Sequence, residues 1–544
     1  MRKLLLNIAI VLSCFLAIGV ILGVMLIVAP GVDFYDIQFI AYNSEEMNYS
    51  ESFVNASETV KEVVIETTDA PVIISAEQSH TLIAAFNQNY MGFARVEKSP
   101  SFEAKLLNGV LTIKVVNYSK FLLGMNDEDY GVHIYLPMYY TGDVTVISEK
   151  SNVTYQGFNS AISDLSISTA GKVALSSDLA LNNLTLSVKN YDVKIGHNVK
   201  IKGEVSFESA GADLIVLDRI EDDLKFVSKS GSLSFVECNN LTYSSESGSL
   251  VGVDAVRPKI NGVADVSARG DVLLAGVEKD AKIITKNGNV SVGQLDNTYG
   301  GEYLIKTENG DIHLNGKFTS SSVSLATERG EVYVDSANVI SVSNARGLTK
   351  IDEVVNLTYE GNSGKLVVES TTGASKITTK SGNVVIGEKG GGSCQNLEIV
   401  AESADVIVKN ARGSVYSIKT KRGNVTFVNS DKNKNNPELT IESKSGEVNA
   451  EGLTGKTSIY TNANVYAEIE DVTARVDINS QNGDVKVLVY DHCYYSLESM
   501  KTNIETAPAL GTKTKKYSTL PSDTEAENTV YVSTKWGKIA VYEY

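Results

Sequence analysis

From about residue 150 onward, apolar and polar residues alternate in short runs that recur in a fixed phase. Ile283, Val290 and Val292 in one stretch correspond to Ile305, Ile312 and Leu314 in the next and to Ile418, Val425 and Phe427 further along. A period of two predicts strands with one buried and one outward face. Between paired runs stands a short phrase: Thr285-Lys-Asn-Gly288-Asn-Val290, Thr307-Glu-Asn-Gly310-Asp-Ile312, Thr327-Glu-Arg-Gly330-Glu-Val332 and Thr379-Lys-Ser-Gly382-Asn-Val384. It returns around Gly171, Gly231, Gly248, Gly270, Gly364, Gly423, Gly446 and Gly483, with weaker copies near Ser151, Asn190, Gly211, Gly347, Ala404 and Asn464. These 18 markers give 17 intervals over 332 residues. A unit of about 19.5 residues is too short for a helix pair and suits one coil of a β-solenoid. The expectation is an all-β chain with a parallel β-solenoid (β-helix) of about 18 coils over residues 151–490, roughly 80 Å long at about 4.8 Å per coil.

Each glycine interrupts a strand, and its polar neighbours suit a corner where one residue takes a left-handed conformation without a Cβ clash. The predicted turn glycines are Gly270, Gly288, Gly310, Gly330, Gly382, Gly423, Gly446, Gly483 and Gly537. A hydroxyl stands three residues earlier, at Thr285, Thr307, Thr327, Thr379, Thr420, Ser443 and Ser480. It is in phase with the inward apolar positions and placed to bond local backbone. Ice-binding solenoids also carry threonine columns, but those face outward in a regular array, whereas coil length here runs from 17 to 23 residues.

A solenoid leaves unpaired strand edges at both ends unless something covers them. Residues 61–150 carry alternating runs without the phrase, among them Val63-Val64-Ile65, Val110-Leu111-Thr112-Ile113 and Val132-His-Ile-Tyr-Leu-Pro137, and are expected to form an N-terminal β cap region. Residues 491–544 hold an irregular polar segment and a last phrase, Ser533-Thr-Lys-Trp-Gly537-Lys-Ile539, expected to close the far end. Residues 29–60, rich in Asn, Ser and Glu, read as a stalk.

Leu4 to Val28 form a run of 25 residues whose only clearly polar members are Asn7 and Ser13. As one helix this crosses a hydrocarbon core of about 30 Å. Arg2 and Lys3 precede it and Asp33, Asp36, Glu45 and Glu46 follow, so residues 1–3 are expected in the cytoplasm and the rest of the chain outside the cell membrane. A cleaved signal peptide would have an apolar core of about 7 to 15 residues and a small-x-small site, whereas here Pro30 follows Ala29 after a far longer core. Val11-Leu-Ser-Cys14 faintly matches a lipoprotein box, but fourteen more apolar residues follow Cys14.

Forty-nine Lys and Arg against 66 Asp and Glu give a net charge of −17. That balance repels phosphate backbones and excludes nucleic acid as a partner. The five histidines lie far apart and the four cysteines form no Cys-x-x-Cys pair, so zinc, thiol redox chemistry and other cofactors are not expected. Cys238 and Cys394 share a phase about eight coils apart, too far for a disulfide.

The sharpest polar cluster is Glu308 and Asp311 beside Gly310 with Glu328 and Glu331 beside Gly330, four carboxylates on neighbouring coils. Oxygen ligands in that arrangement are calcium candidates, although the Gly-Gly-x-Gly-x-Asp repeat of calcium β-rolls is missing and Lys286 and Arg329 offset the charge. A glycosidase pair would need one fixed separation of about 5 to 9.5 Å, whereas other coils place Lys, Asn or Ser here. The expectation is a solvated outer edge and no catalytic residue. The 26 tyrosines, with pairs at Tyr139-Tyr140 and Tyr494-Tyr495, are platforms for sugars or proteins, or are buried in the end caps.

An anchored chain, a β region ending in Ile134-Tyr-Leu-Pro137 and iterated Thr-x-x-Gly-Asp/Asn-Val phrases resemble the bacterial cell-surface adhesin family built on a domain of unknown function. The resemblance covers about residues 60–544. It implies a right-handed β-solenoid at the cell surface and supplies no catalytic residues. The chain departs from it in having more coils and in copies that lack the glycine, at Ala404 and Asn464. The expected function is a membrane-anchored extracellular adhesin or envelope scaffold, non-enzymatic, that contacts a cell-wall polymer, glycan or surface protein. A β-helix polysaccharide-acting enzyme and an accessory protein of envelope stress sensing are the alternatives.

Overall fold

A computed structural model describes residues 60–544 apart from the short segments 88–89, 97–100, 117–118, 127–129, 158–159, 176–177, 255, 296–300, 388–393, 431–435, 473, 502–503, 507–514 and 521–526; before residue 60 it describes Ile37–Tyr42, Tyr49–Val54 and three isolated positions. The anchor expected over Leu4–Val28 lies outside the described residues but for those three positions. Among the described residues no helix is long and apolar enough to cross a membrane. Among the described residues from 60 onward all regular structure is strand. The chain divides into two compact units, Met1–Lys200 and Ile201–Tyr544.

In the first unit, alternating residues such as Val63 and Ile65, or Val72 and Ile74, are fully buried, as the period-two pattern requires. Their strands stack in parallel. Glu62–Thr67 lies between Val110–Val116 and Asp143–Ser148, and Val72–Glu77 lies between Gly131–Pro137 and Val153–Gly157. The coil that comes first in sequence is therefore sandwiched, and the outermost coil is the later one. Its edges are covered by antiparallel strands, Ser101–Leu107 on one side and Thr81–Asn87 on the other. Part of the stretch read as a stalk joins this cover. Tyr49–Val54 pairs antiparallel with Thr81–Asn87, and Ile37–Tyr42 pairs antiparallel with Tyr90–Val96. Antiparallel strands of limited length end a parallel edge without offering a template for further addition.

The solenoid has about 16 turns rather than about 18. In the second unit, equivalent positions stand in line from coil to coil: Val290, Ile312, Val332, Thr349, Leu366, Val384, Val406, Val425, Val448, Val465, Val485 and Ile539. All are buried, so each coil fills the same cross-section as its neighbours. Rings follow the same rule, with Phe207, Phe226 and Tyr243 stacked at centroid distances of 5.1 Å.

The far end departs from expectation. The last phrase does not cover the stack: Thr529–Thr534 and Ile539–Glu543 lie on Val476–Ser480 and Val485–Val489, and are themselves covered by Tyr494–Ser499 and Ile504–Thr506. Lys516–Ser518 then closes Tyr494–Ser499 in antiparallel sense. The polar segment from residue 491 onward therefore carries the chain out and back, and the final coil slides beneath it.

Candidate functional site

The corner phrase resolves into three interlocked columns. The hydroxyl column faces inward: Gly288, Gly310, Gly330, Gly446, Gly483 and Gly537 donate their N–H groups to Thr285, Thr307, Thr327, Ser443, Ser480 and Thr534 at 2.9–3.0 Å. Some of these hydroxyls also donate to the corner carbonyl of the preceding coil, Thr307 to Gly288 and Thr327 to Gly310 at 3.2 Å. The expected bond to local backbone is present, and a second one ties neighbouring coils.

The glycine column has a different cause from the one expected. Of the nine predicted turn glycines only Gly423 has a positive φ, at +151°. The others are glycine because coils pass too closely: a Cβ on Gly330 would lie 1.7 Å from the Gly310 carbonyl oxygen, and one on Gly310 would lie 1.9 Å from that of Gly288. Where the column holds alanine, Ala404 is buried and Ala463 half-buried, and the marker read at Asn464 sits one place too late. At the one left-handed corner the pattern breaks, and the buried Thr420 hydroxyl has no hydrogen-bond partner.

The residue after each glycine builds the third column. The side-chain oxygen of Asp271 accepts from the Asn289 N–H, Asn289 from Asp311 and Asp311 from Glu331, at 2.8, 2.9 and 2.8 Å. Asp405, Asn424, Asn464 and Asp484 repeat this further along, with distances of 2.8–3.0 Å. A backbone N–H at a turn is satisfied from the coil below, which explains why Asp and Asn recur there.

This accounts for the acidic cluster. Asp311 spends a carboxylate oxygen on the Glu331 backbone, and Glu331 accepts a hydrogen bond from the Tyr333 hydroxyl, which raises the ionisation point of that phenol. Glu308 and Glu328 are exposed, with only their backbones tied, the Glu328 N–H donating to the Glu308 carbonyl at 3.2 Å. Among the described residues no group of three or more His, Cys, Asp or Glu is arranged to hold a metal ion. The four calcium candidates are thus drawn into one neighbourhood without forming a coordination shell. Cys238 and Cys394 are buried free thiols whose ionisation is pushed up by burial, to about 11 for Cys394.

The tyrosine pairs divide between core and surface. Tyr140 is buried and donates to the Asp143 carbonyl at 2.8 Å, while Tyr139 is exposed. Tyr495 is buried and Tyr494 exposed. The aromatic residues missed by sequence reasoning lie on the outer face of the sheet that leads into the corners. There the strands Thr457–Thr461, Val476–Ser480, Thr529–Thr534 and Tyr494–Ser499 bring two outward columns into register, Ser458, Asp477, Tyr531 and Ser496 beside Tyr460, Asn479, Ser533 and Glu498. They line a recess of about 400 Å³. A second recess of about 510 Å³ lies on the same sheet beside Asn356 and Lys376, with no aromatic lining. The only signal in sequence was that each tyrosine occupies an outward place in its period-two run.

No curated protein matches the chain in sequence. Among solved structures, a candidate cell adhesion protein from Clostridium sporogenes is similar over 50% of this chain and 100% of its own, at 11% identity and a TM-score of 0.19. Residues 305–488 and, overlapping them, 376–542 match the Toastrack DUF4097 family, so the repeat of the second unit is similar to a domain of unknown function.

Proposed function

We propose that the chain is a membrane-anchored, extracellular β-solenoid that attaches without catalysis to a repetitive polymer of the bacterial envelope, as an adhesin or scaffold. One observation carries the reading: the corner aspartates are bound into the coil-to-coil ladder, with the Oδ1 of Asp311 accepting the Glu331 N–H at 2.8 Å as Asp271, Asp405 and Asp484 do in theirs. A carboxylate used in the same way at coil after coil is a structural part, whereas catalysis needs one constellation held apart from the repeat. The repetition itself suits a partner that is also repetitive, because many weak contacts then add as avidity. In this reading Leu4 to Val28 is the anchor and everything after Pro30 lies outside. Combining Asp311→Asn with Glu331→Gln tests it against the polysaccharide-enzyme alternative. Wall attachment by the double variant should equal that of the parent, and release of reducing sugar by the parent, lost in the variant, would promote the enzyme.

A further inference from the structure

The Tyr460–Tyr531 recess has the chemistry of a sugar site. Tyr460 is 47% exposed, and its hydroxyl accepts from the Gln481 side chain at 3.1 Å, which fixes the ring on the surface of the sheet. Tyr531 stands two strands away, diagonally across Asp477 and Asn479. The Arg475 guanidinium sits 4.2 Å from its ring centroid and makes a two-point contact with Asp477 at 2.8 and 2.9 Å. Arg475 thus packs on the Tyr531 ring and pairs with Asp477 at once. Glu498, at the other end, is paired with Lys516 at 2.7 Å.

Two rings, one amide and a row of serine hydroxyls thus surround a space in which both carboxylates are paired with cations. We propose that this recess binds a short segment of uncharged glycan, with Tyr460 and Tyr531 covering the apolar faces of sugar rings and Asn479, Ser458 and Ser533 meeting their hydroxyls. Its volume of about 400 Å³ lies within the range of about 300–1,000 Å³ usual for small-molecule sites. The charge pattern selects against anionic polymers, since the nearby cations, Arg475 and Lys516, already pair with carboxylates. The larger recess beside Asn356 is an internal contrast. It has no ring, and its floor is crossed by the exposed Lys376–Glu398 pair. The inference rests on the adhesion reading and narrows it to one ligand class and one place.

The test uses full-length protein in detergent, titrated calorimetrically with chitohexaose and cellohexaose as neutral probes and polygalacturonate as the anionic one, alongside sedimentation with isolated cell walls. At least one neutral hexasaccharide should bind. Tyr460→Ala and Tyr531→Ala should each weaken it about tenfold, the scale of one lost aromatic contact. Tyr460→Phe should stay near the parent value and Lys376→Ala should change nothing. Thermal melts of the exposed Tyr460 variants separate loss of contact from loss of fold. Binding of polygalacturonate alone, binding of neither neutral probe, or affinity equal to the parent's in either alanine variant overturns the proposal. If the parent still sediments with walls in those cases, the adhesion reading survives; if the parent does not sediment, that reading fails separately.

Discussion

Gly330→Ala isolates the cause of the corner glycine. Because the Gly330 φ is not in the left-handed region, the substitution carries no dihedral penalty. The whole cost comes from its Cβ, which would stand 1.7 Å from the Gly310 oxygen, 2.5 Å from the Gly310 carbonyl carbon and 2.9 Å from the Thr327 hydroxyl. Two of these contacts are backbone atoms, so coils spaced at about 4.8 Å must separate locally. Overpacking of this kind costs about 1–3 kcal/mol. Moving the coils also loosens the Thr327–Gly310 bond at 3.2 Å and the Glu331–Asp311 bond at 2.8 Å, each contributing about 1 kcal/mol. Against this, Gly→Ala lowers unfolded-chain entropy by about 0.4–1 kcal/mol. The net expectation is a loss of about 2–4 kcal/mol around the substituted coil. Gly196→Ala is the control, since a Cβ there meets nothing within 4 Å; it should be neutral or slightly stabilising. Because long repeat arrays need not melt as one unit, amide exchange across residues 305–350 is the better readout than a single melting temperature. Gly330→Asn separates the two causes: asparagine tolerates a left-handed backbone, so it would be mild if conformation were the reason, and here it should be as damaging as alanine. Unchanged protection in Gly330→Ala would refute the close-approach argument.

Further outcomes follow from the same columns and from the buried groups. Asp311→Asn keeps the acceptor for the Glu331 N–H and should leave stability within about 0.5 kcal/mol, whereas Asp311→Ala should cost about 1 kcal/mol, as chemical denaturation would report. Cys238 and Cys394, held protonated by burial, should resist iodoacetamide at pH 8 in the native protein and react once guanidinium unfolds it. Burial pushes Tyr243, Tyr303 and Tyr416 up to about 12. Unfolded phenols lose protons near pH 10, so between pH 10 and 12 the unfolded state binds fewer protons and stability falls as pH rises; it is fully present below pH 10, which denaturation midpoints from pH 8 to 12 would reveal. Full-length protein should stay in membranes after carbonate washing and be cut by protease added outside intact cells, and a mature soluble form beginning near Pro30 would contradict this.

What could be read from sequence was whatever a single coil encodes. The alternation of Ile305, Ile312 and Leu314 specifies strands and their buried face, and the hydroxyl at Thr307 specifies an inward bond, because both are local. The reason for Gly310 was not local. It lies in the distance to the carbonyl of Gly288, which belongs to the previous coil, and a polar-flanked glycine looks the same in either case. The far end was misread for a similar reason. The last phrase around Gly537 and the segment Tyr494–Ser499 both have strand character, and only pairing decides which lies underneath. Tyr460 and Tyr531 were invisible as a pair because the chain between them leaves the stack and returns, so the register that brings them together has no trace in their spacing.

The most direct test of the account is sedimentation of full-length protein with purified bacterial cell walls while released reducing sugar is measured. Attachment without attachment by an unrelated membrane protein of equal charge, and with no sugar released over hours, is the predicted result. Absence of attachment, or steady release of sugar that Asp311→Asn with Glu331→Gln abolishes, would contradict it.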